Sequence, residues 1–167
     1  MPQERTKAQT LFNRALGAKA KGDLKRAKAL LEQAITLDPT AKGAYDALGS
    51  VYYQQQQYQR AVTMYERALA IDPNYVTARN NLGSAYMQLA LDERAIEELQ
   101  RALQVDSSYS LAYYNLACVH ARAGRGGAAA QYLAQAVALE PEARQWAQTD
   151  ADFARVRSVP EVRKLLE

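Results

Sequence analysis

The sequence predicts an all-α solenoid, a stack of helical hairpins, and three observations predict it. Helix-favouring Ala, Leu, Gln, Glu, Lys and Arg dominate, while runs of Val, Ile, Phe and Thr are scarce. Small residues recur at a fixed step: Ala27, Ala61, Ala95 and Ala129 lie 34 residues apart, as do Ala34, Ala68, Ala102 and Ala136. Around them, bulky residues recur at three- and four-residue steps, the period of one helix face. One such hairpin buries too little apolar surface to offset its chain entropy, so stacked copies must share a core.

Taken in order, residues 8–41 form the weakest copy, with Leu11, Ala15, Ala18, Ala27, Leu31, Ala34 and Pro39. Arg14 stands where the later copies carry leucine, which suits a first unit with no neighbour to cover that face. Residues 42–75 are the clearest. Tyr45, Leu48 and Tyr52 mark one helix within 42–55, and Tyr58, Ala61, Val62, Tyr65, Leu69 and Ile71 mark a second within 58–71. Residues 76–109 follow with Leu82, Gly83, Tyr86, Ala95, Leu99 and Ala102; residues 110–143 follow with Tyr113, Leu116, Ala117, His120, Ala129, Leu133, Ala136 and Pro141. Asp38-Pro39 and Asp72-Pro73 recur in degenerate form as Asp106-Ser107 and Glu140-Pro141. The glutamine run Gln54–Gln57 keeps the 34-residue step on both sides, so it is a helix end and turn rather than an insertion. Gly22, Gln56, Ala90 and Gly124 share one register position in that turn.

After Pro141 the pattern lapses. Residues 142–149 still suit a helix, with Trp146 expected to pack back on the fourth unit. Thr149-Asp150-Ala151-Asp152 and Ser158-Val159-Pro160-Glu161 read as helix starts, the second as a capping box with proline in the first turn. Residues 144–167 are expected to cap the stack, the other reading being a partner-binding helix.

These residues resemble the tetratricopeptide repeat (TPR) family, whose pattern runs Leu-Gly, Tyr, Ala, aromatic or Leu, Ala and Pro in this register. The match covers about residues 8–143. The resemblance implies an all-α, right-handed superhelical solenoid of four helix-turn-helix units plus a C-terminal helical cap, forming a single domain over 1–167. The closing DADFARVRSVPEVRKLL stretch is similar to that of some bacterial TPR proteins.

Composition excludes several functions. A net charge of +3 is mild for a nucleic-acid binder. The excess gathers early, at Arg5, Lys7, Arg14, Lys19, Lys21, Lys25, Arg26 and Lys28. Two readings fit that excess, a solvated basic face and a patch for an acidic partner. A single cysteine, Cys118, excludes a disulfide framework and a cysteine-built zinc site. No run of about 18 apolar residues predicts a membrane span. The N-terminus lacks the apolar centre of a signal peptide, so a cytoplasmic location is expected, or a periplasmic one if a leader was removed. His120 and Cys118 lie two residues apart, about 200° around a helix, and cannot form a nucleophile–base pair. The glycines around Gly124–Gly127 follow no strand and form no phosphate loop; an inter-helix turn is expected. No catalytic group and no cofactor is predicted.

The family's binding surface is the inner face of the first helix of each unit. Carried over, it comprises Phe12, Asn13 and Leu16, with Gln9 and Lys19, in the first unit, and Asp46, Ser50, Tyr53 and Gln54 in the second. The third unit contributes Asn80, Asn81, Ser84, Met87 and Gln88; the fourth contributes Leu111, Tyr114, Asn115, Cys118 and Arg122. The family's carboxylate clamp for acidic chaperone tails is absent, because Phe12, Leu16, Ala47, Thr77 and Asn81 occupy its positions. Asn13, Asn81 and Asn115 fit an asparagine ladder interrupted by Ala47, although asparagine is also the common residue there. The resemblance thus implies a non-enzymatic scaffold that binds a peptide segment of another protein. A homo-oligomerising structural module is the alternative.

Overall fold

The computed structural model describes residues 2–167, and every regular element among them is helical. The helices are α1 (Pro2–Ala20), α2 (Leu24–Leu37), α3 (Lys42–Gln54), α4 (Tyr58–Ile71), α5 (Val76–Gln88), α6 (Asp92–Val105), α7 (Ser110–Arg122), α8 (Gly126–Leu139), α9 (Ala143–Thr149) and α10 (Pro160–Leu166). A 3-10 turn, Ala151–Arg155, lies between the last two. Two compact units are formed, Met1–Leu89 and Ala90–Glu167, so that α5 closes the first and α6 opens the second.

The repeat alanines explain the packing. Ala27, Ala34, Ala61, Ala68, Ala95, Ala102, Ala129 and Ala136 have no exposed surface. A methyl group at these sites lets helix backbones approach, and the larger Leu31, Tyr65, Leu99 and Leu133 fill the space between them. At Gly49 on α3 even a methyl group is too much. A Cβ there would lie 2.6 Å from Cε1 of Tyr65 on α4.

Two recurrent turns set the hairpins. The first ends helices α1, α3, α5 and α7 with a left-handed residue: φ is +76° at Gly22, +59° at Gln56, +56° at Ala90 and +74° at Gly124. Paired backbone bonds close it, as in Gln56 N–H to Tyr53 O (2.9 Å) and Gln57 N–H to Tyr52 O (2.9 Å). The second turn follows α2, α4 and α6. Asp38, Asp72 and Asp106 leave the helix in an extended conformation. Each carboxylate then accepts from the N–H two residues on, at Thr40 (3.0 Å), Asn74 (2.9 Å) and Ser108 (2.9 Å). Ser107 therefore replaces proline without loss of the turn, because the aspartate holds it.

The chain beyond α8 folds back on the second unit. Phe153, Val156 and Val162 are buried to 1% exposure or less. Trp146 meets Tyr114 of α7 edge-on, with ring centroids 5.4 Å apart, as expected. Asp150 starts the 3-10 turn by accepting from Asp152 N–H at 2.9 Å. The capping box expected at Ser158 does not form: α10 begins at Pro160, with Val159 at the cap and no side-chain cap bond. Proline preset at the first helical position moves the start one residue past Ser158.

Candidate functional site

Helices α3, α4 and α5 of the first unit carry a cleft of about 160 Å³, lined by Ser50, Tyr53, Tyr65, Asn81 and Ser84. Ser50 and Ser84 hold the same register position on α3 and α5, one repeat step apart. One turn before Ser50, at the spacing that puts side chains on one face, stands Asp46. Its carboxylate accepts from Asn81 Nδ2 at 2.9 Å, tying α3 to α5. Lys19, near the end of α1, donates to Ser50 Oγ at 2.6 Å, tying α1 to α3. Burial pushes the Asp46 carboxyl above the usual carboxylate range, opposed by the Asn81 bond and the Lys19 charge. Desolvation likewise raises Tyr65, whose phenol stays protonated. Tyr53 packs edge-on to Tyr58, with centroids 5.2 Å apart.

Other predicted residues of this unit lie apart from the cleft or are covered. Phe12 lines a separate recess with Arg5, Gln9, Asp38 and Lys42, and sits 3.5 Å from a Cβ position at Gly43. Asn13 is exposed and accepts from Gln9 Nε2 at 3.0 Å. Leu16, Gln54 and Gln88 are exposed, while Asn80 and Met87 are buried.

In the second unit the expected open wall is covered. Tyr114 donates to Asp150 Oδ2 at 2.8 Å, and the Cys118 thiol lies 3.7 Å from the same oxygen. Phe153 packs beside Tyr114, with centroids 6.1 Å apart. Tyr114 and Cys118 thus lie beneath the C-terminal segment rather than facing solvent. The physical reason is hydrophobic: fully burying Phe153 brings Asp150 onto these two donors. Burial, with Asp150 nearby, pushes the Cys118 thiol well above its usual range, and a protonated thiol is a poor nucleophile or metal ligand. Arg122 pairs with Asp92, and its carbonyl accepts from Arg155 Nη1 at 3.4 Å. Leu111 is exposed and Asn115 half-buried. His120 is half-buried against Tyr132, stacked at 5.2 Å, with a buried Nδ1 that lacks a partner among the described residues.

Sequence reasoning missed two participants. Tyr65 belongs to the repeat framework, yet its ring walls the cleft. Asp150 was visible as a helix start, but nothing local shows that its carboxylate reaches α7.

Family models described as tetratricopeptide repeat match residues 7–40, 76–109 and 111–142, and one described as TPR repeat matches 49–89. The chain belongs to the TPR family. Among solved structures, its fold matches that of pilF from Pseudomonas aeruginosa, with TM-score 0.83 and 24% identity over 98% of this chain and 75% of that one. YrrB, described as a TPR protein with an unusual peptide-binding site, matches with TM-score 0.68 and 24% identity, over 93% of this chain and 79% of that one. The first TPR of Spaghetti (RPAP3), solved with an HSP90 peptide, matches with TM-score 0.67 and 20% identity, over 69% and 91%. Among curated proteins, none matches the sequence. These likenesses establish the all-α TPR solenoid fold. None of the described helices is long and apolar enough to cross a membrane.

Proposed function

We propose that this TPR protein is a non-catalytic scaffold that binds an extended segment of a partner protein in the cleft of α3, α4 and α5. The observation that carries the reading is the cleft itself: the Ser50, Ser84 and Asn81 polar groups converge beside the Tyr53 ring in an open recess. Hydroxyls and amides both donate and accept, which suits a peptide backbone, and a tyrosine offers apolar area at low entropic cost. Such a pairing of few polar groups with an aromatic wall is what peptide recognition uses. Two structures of the same fold are described by their peptide sites, which supports the reading. The first unit is preferred to the second because the C-terminal segment covers Tyr114 and Cys118 there.

The test is selection of random dodecapeptides on the immobilised full chain, run in parallel on Tyr53→Ala. The reading expects a sequence family enriched on the wild type and lost on the variant while its melting curve is kept. No enrichment on the wild type, or equal enrichment on both, overturns it.

A further inference from the structure

The register of the repeats allows the two units to be compared position by position. On α7, Tyr114 and Cys118 are donors, and the chain itself fills that place with an acceptor, the Asp150 carboxylate. On α3 the same two positions are Asp46 and Ser50. The polarity is reversed: the first of them is now an anion. Among the described residues, the donor to Asp46 is Asn81. A carboxylate offers about four lone-pair sites, so most of its accepting capacity is open. Lys19 is close enough to act on its charge, and the hydrogen bond it donates goes to Ser50 rather than to Asp46. A half-desolvated anion with open lone pairs at the edge of a cleft is complemented by a cation carrying several donors.

We propose that the cleft accepts a lysine or arginine side chain of the partner segment, with Asp46 as its charge partner and Ser50 beside it. The inference rests on the binding reading above and adds the chemistry of the ligand. An incoming cation competes with Lys19, a like charge reaching into the same site from α1. Lys19 therefore acts against a basic ligand, and Asp46 acts for it.

The dodecapeptide selection tests this with two further proteins, Asp46→Asn and Lys19→Gln. The amide introduced by Asp46→Asn keeps an oxygen for the Asn81 bond and replaces the charge and the second acceptor oxygen by an NH2 group; a thermal melt checks that this variant folds. Lysine or arginine should dominate one position of the peptides recovered on the wild type. A recovered basic peptide should bind Asp46→Asn about tenfold more weakly. It should bind Lys19→Gln about two- to fivefold more tightly. The opposite signs separate a charge site from damage to the fold, and the Lys19 arm stands even where Asp46→Asn fails to fold. Enriched peptides without a basic position, or basic peptides indifferent to both substitutions, overturn this inference and leave the binding reading in place. No enrichment at all overturns both.

Discussion

Replacing Gly49 by alanine should destabilise the first unit, while the same replacement at Gly17 should stabilise it. A Cβ at Gly49 would lie 2.6, 2.8 and 3.0 Å from Cε1, Cδ1 and Cζ of Tyr65. Carbon atoms prefer about 3.5–4.0 Å, so the ring must retreat by about 1 Å. Tyr65 is 2% exposed, so packed neighbours resist the shift on every side but the one that walls the cleft. Overpacking of this kind costs about 1–3 kcal/mol. Alanine recovers about 1 kcal/mol of helix propensity over glycine, leaving a net loss of up to about 2 kcal/mol. Gly17 lies in the last turn of α1, exposed, with nothing within 4 Å of its Cβ position, so only the propensity gain remains. Urea titration read by circular dichroism measures both signs. The fourth repeat supplies an internal control: Ala117 already occupies the register of Gly49, and Leu133 the register of Tyr65. Adding Tyr65→Leu to Gly49→Ala should therefore recover most of the loss. A Gly49→Ala that stabilises as much as Gly17→Ala, or a double variant no better than the single, would refute the steric argument.

Three other outcomes are expected. Gln56→Gly should stabilise by about 0.5–1 kcal/mol, since relief of a left-handed side chain, about 1–2 kcal/mol, exceeds the entropy cost of glycine; a lowered urea midpoint would contradict this. Burial and the Arg125 charge hold the His120 pKa below its ordinary 6.5, so between the two values the unfolded chain binds more protons and stability rises with pH. Stability should fall as pH drops through that window, and His120→Gln should flatten the slope in denaturant melts. At lower pH the Asp38, Asp72 and Asp106 turns add a further loss: their carboxyls are held below 3.8 by the bonds they accept. Tyr114→Phe removes the bond to Asp150 and should cost about 1 kcal/mol, because a half-buried carboxylate oxygen loses its hydroxyl donor and keeps only the weak Cys118 thiol. Labelling of Cys118 by a thiol reagent should speed up; unchanged labelling would show that the segment holds without this bond.

The helices were legible in the sequence because each hairpin is a local object. Alanine spacing, leucine steps and the Asp turn residues act within about one repeat, so α1 to α8 follow from residues near one another in the chain. The turn at Gln56 was legible for the same reason, since Gly22, Ala90 and Gly124 occupy its register; its positive φ came from the structure. The candidate site was legible in part. Register placed Asp46, Ser50, Tyr53, Asn81 and Ser84 on first helices. It could not say that Phe12 faces another recess, or that Asn81 spends its amide on Asp46, because those outcomes depend on side chains 31 to 35 residues apart meeting across helices.

By itself, then, the sequence determined the repeat, the helices, the turns and the TPR family, all of them properties of local pattern. The tertiary structure alone decided which inner-face positions stay open. Phe153 leaves water beside Tyr114, and its burial lays Asp150 onto Tyr114 and Cys118. Burial of one apolar ring, distant in sequence from α7, covers Tyr114 and Cys118, whereas Ser50 and Tyr53 on α3 line an open cleft.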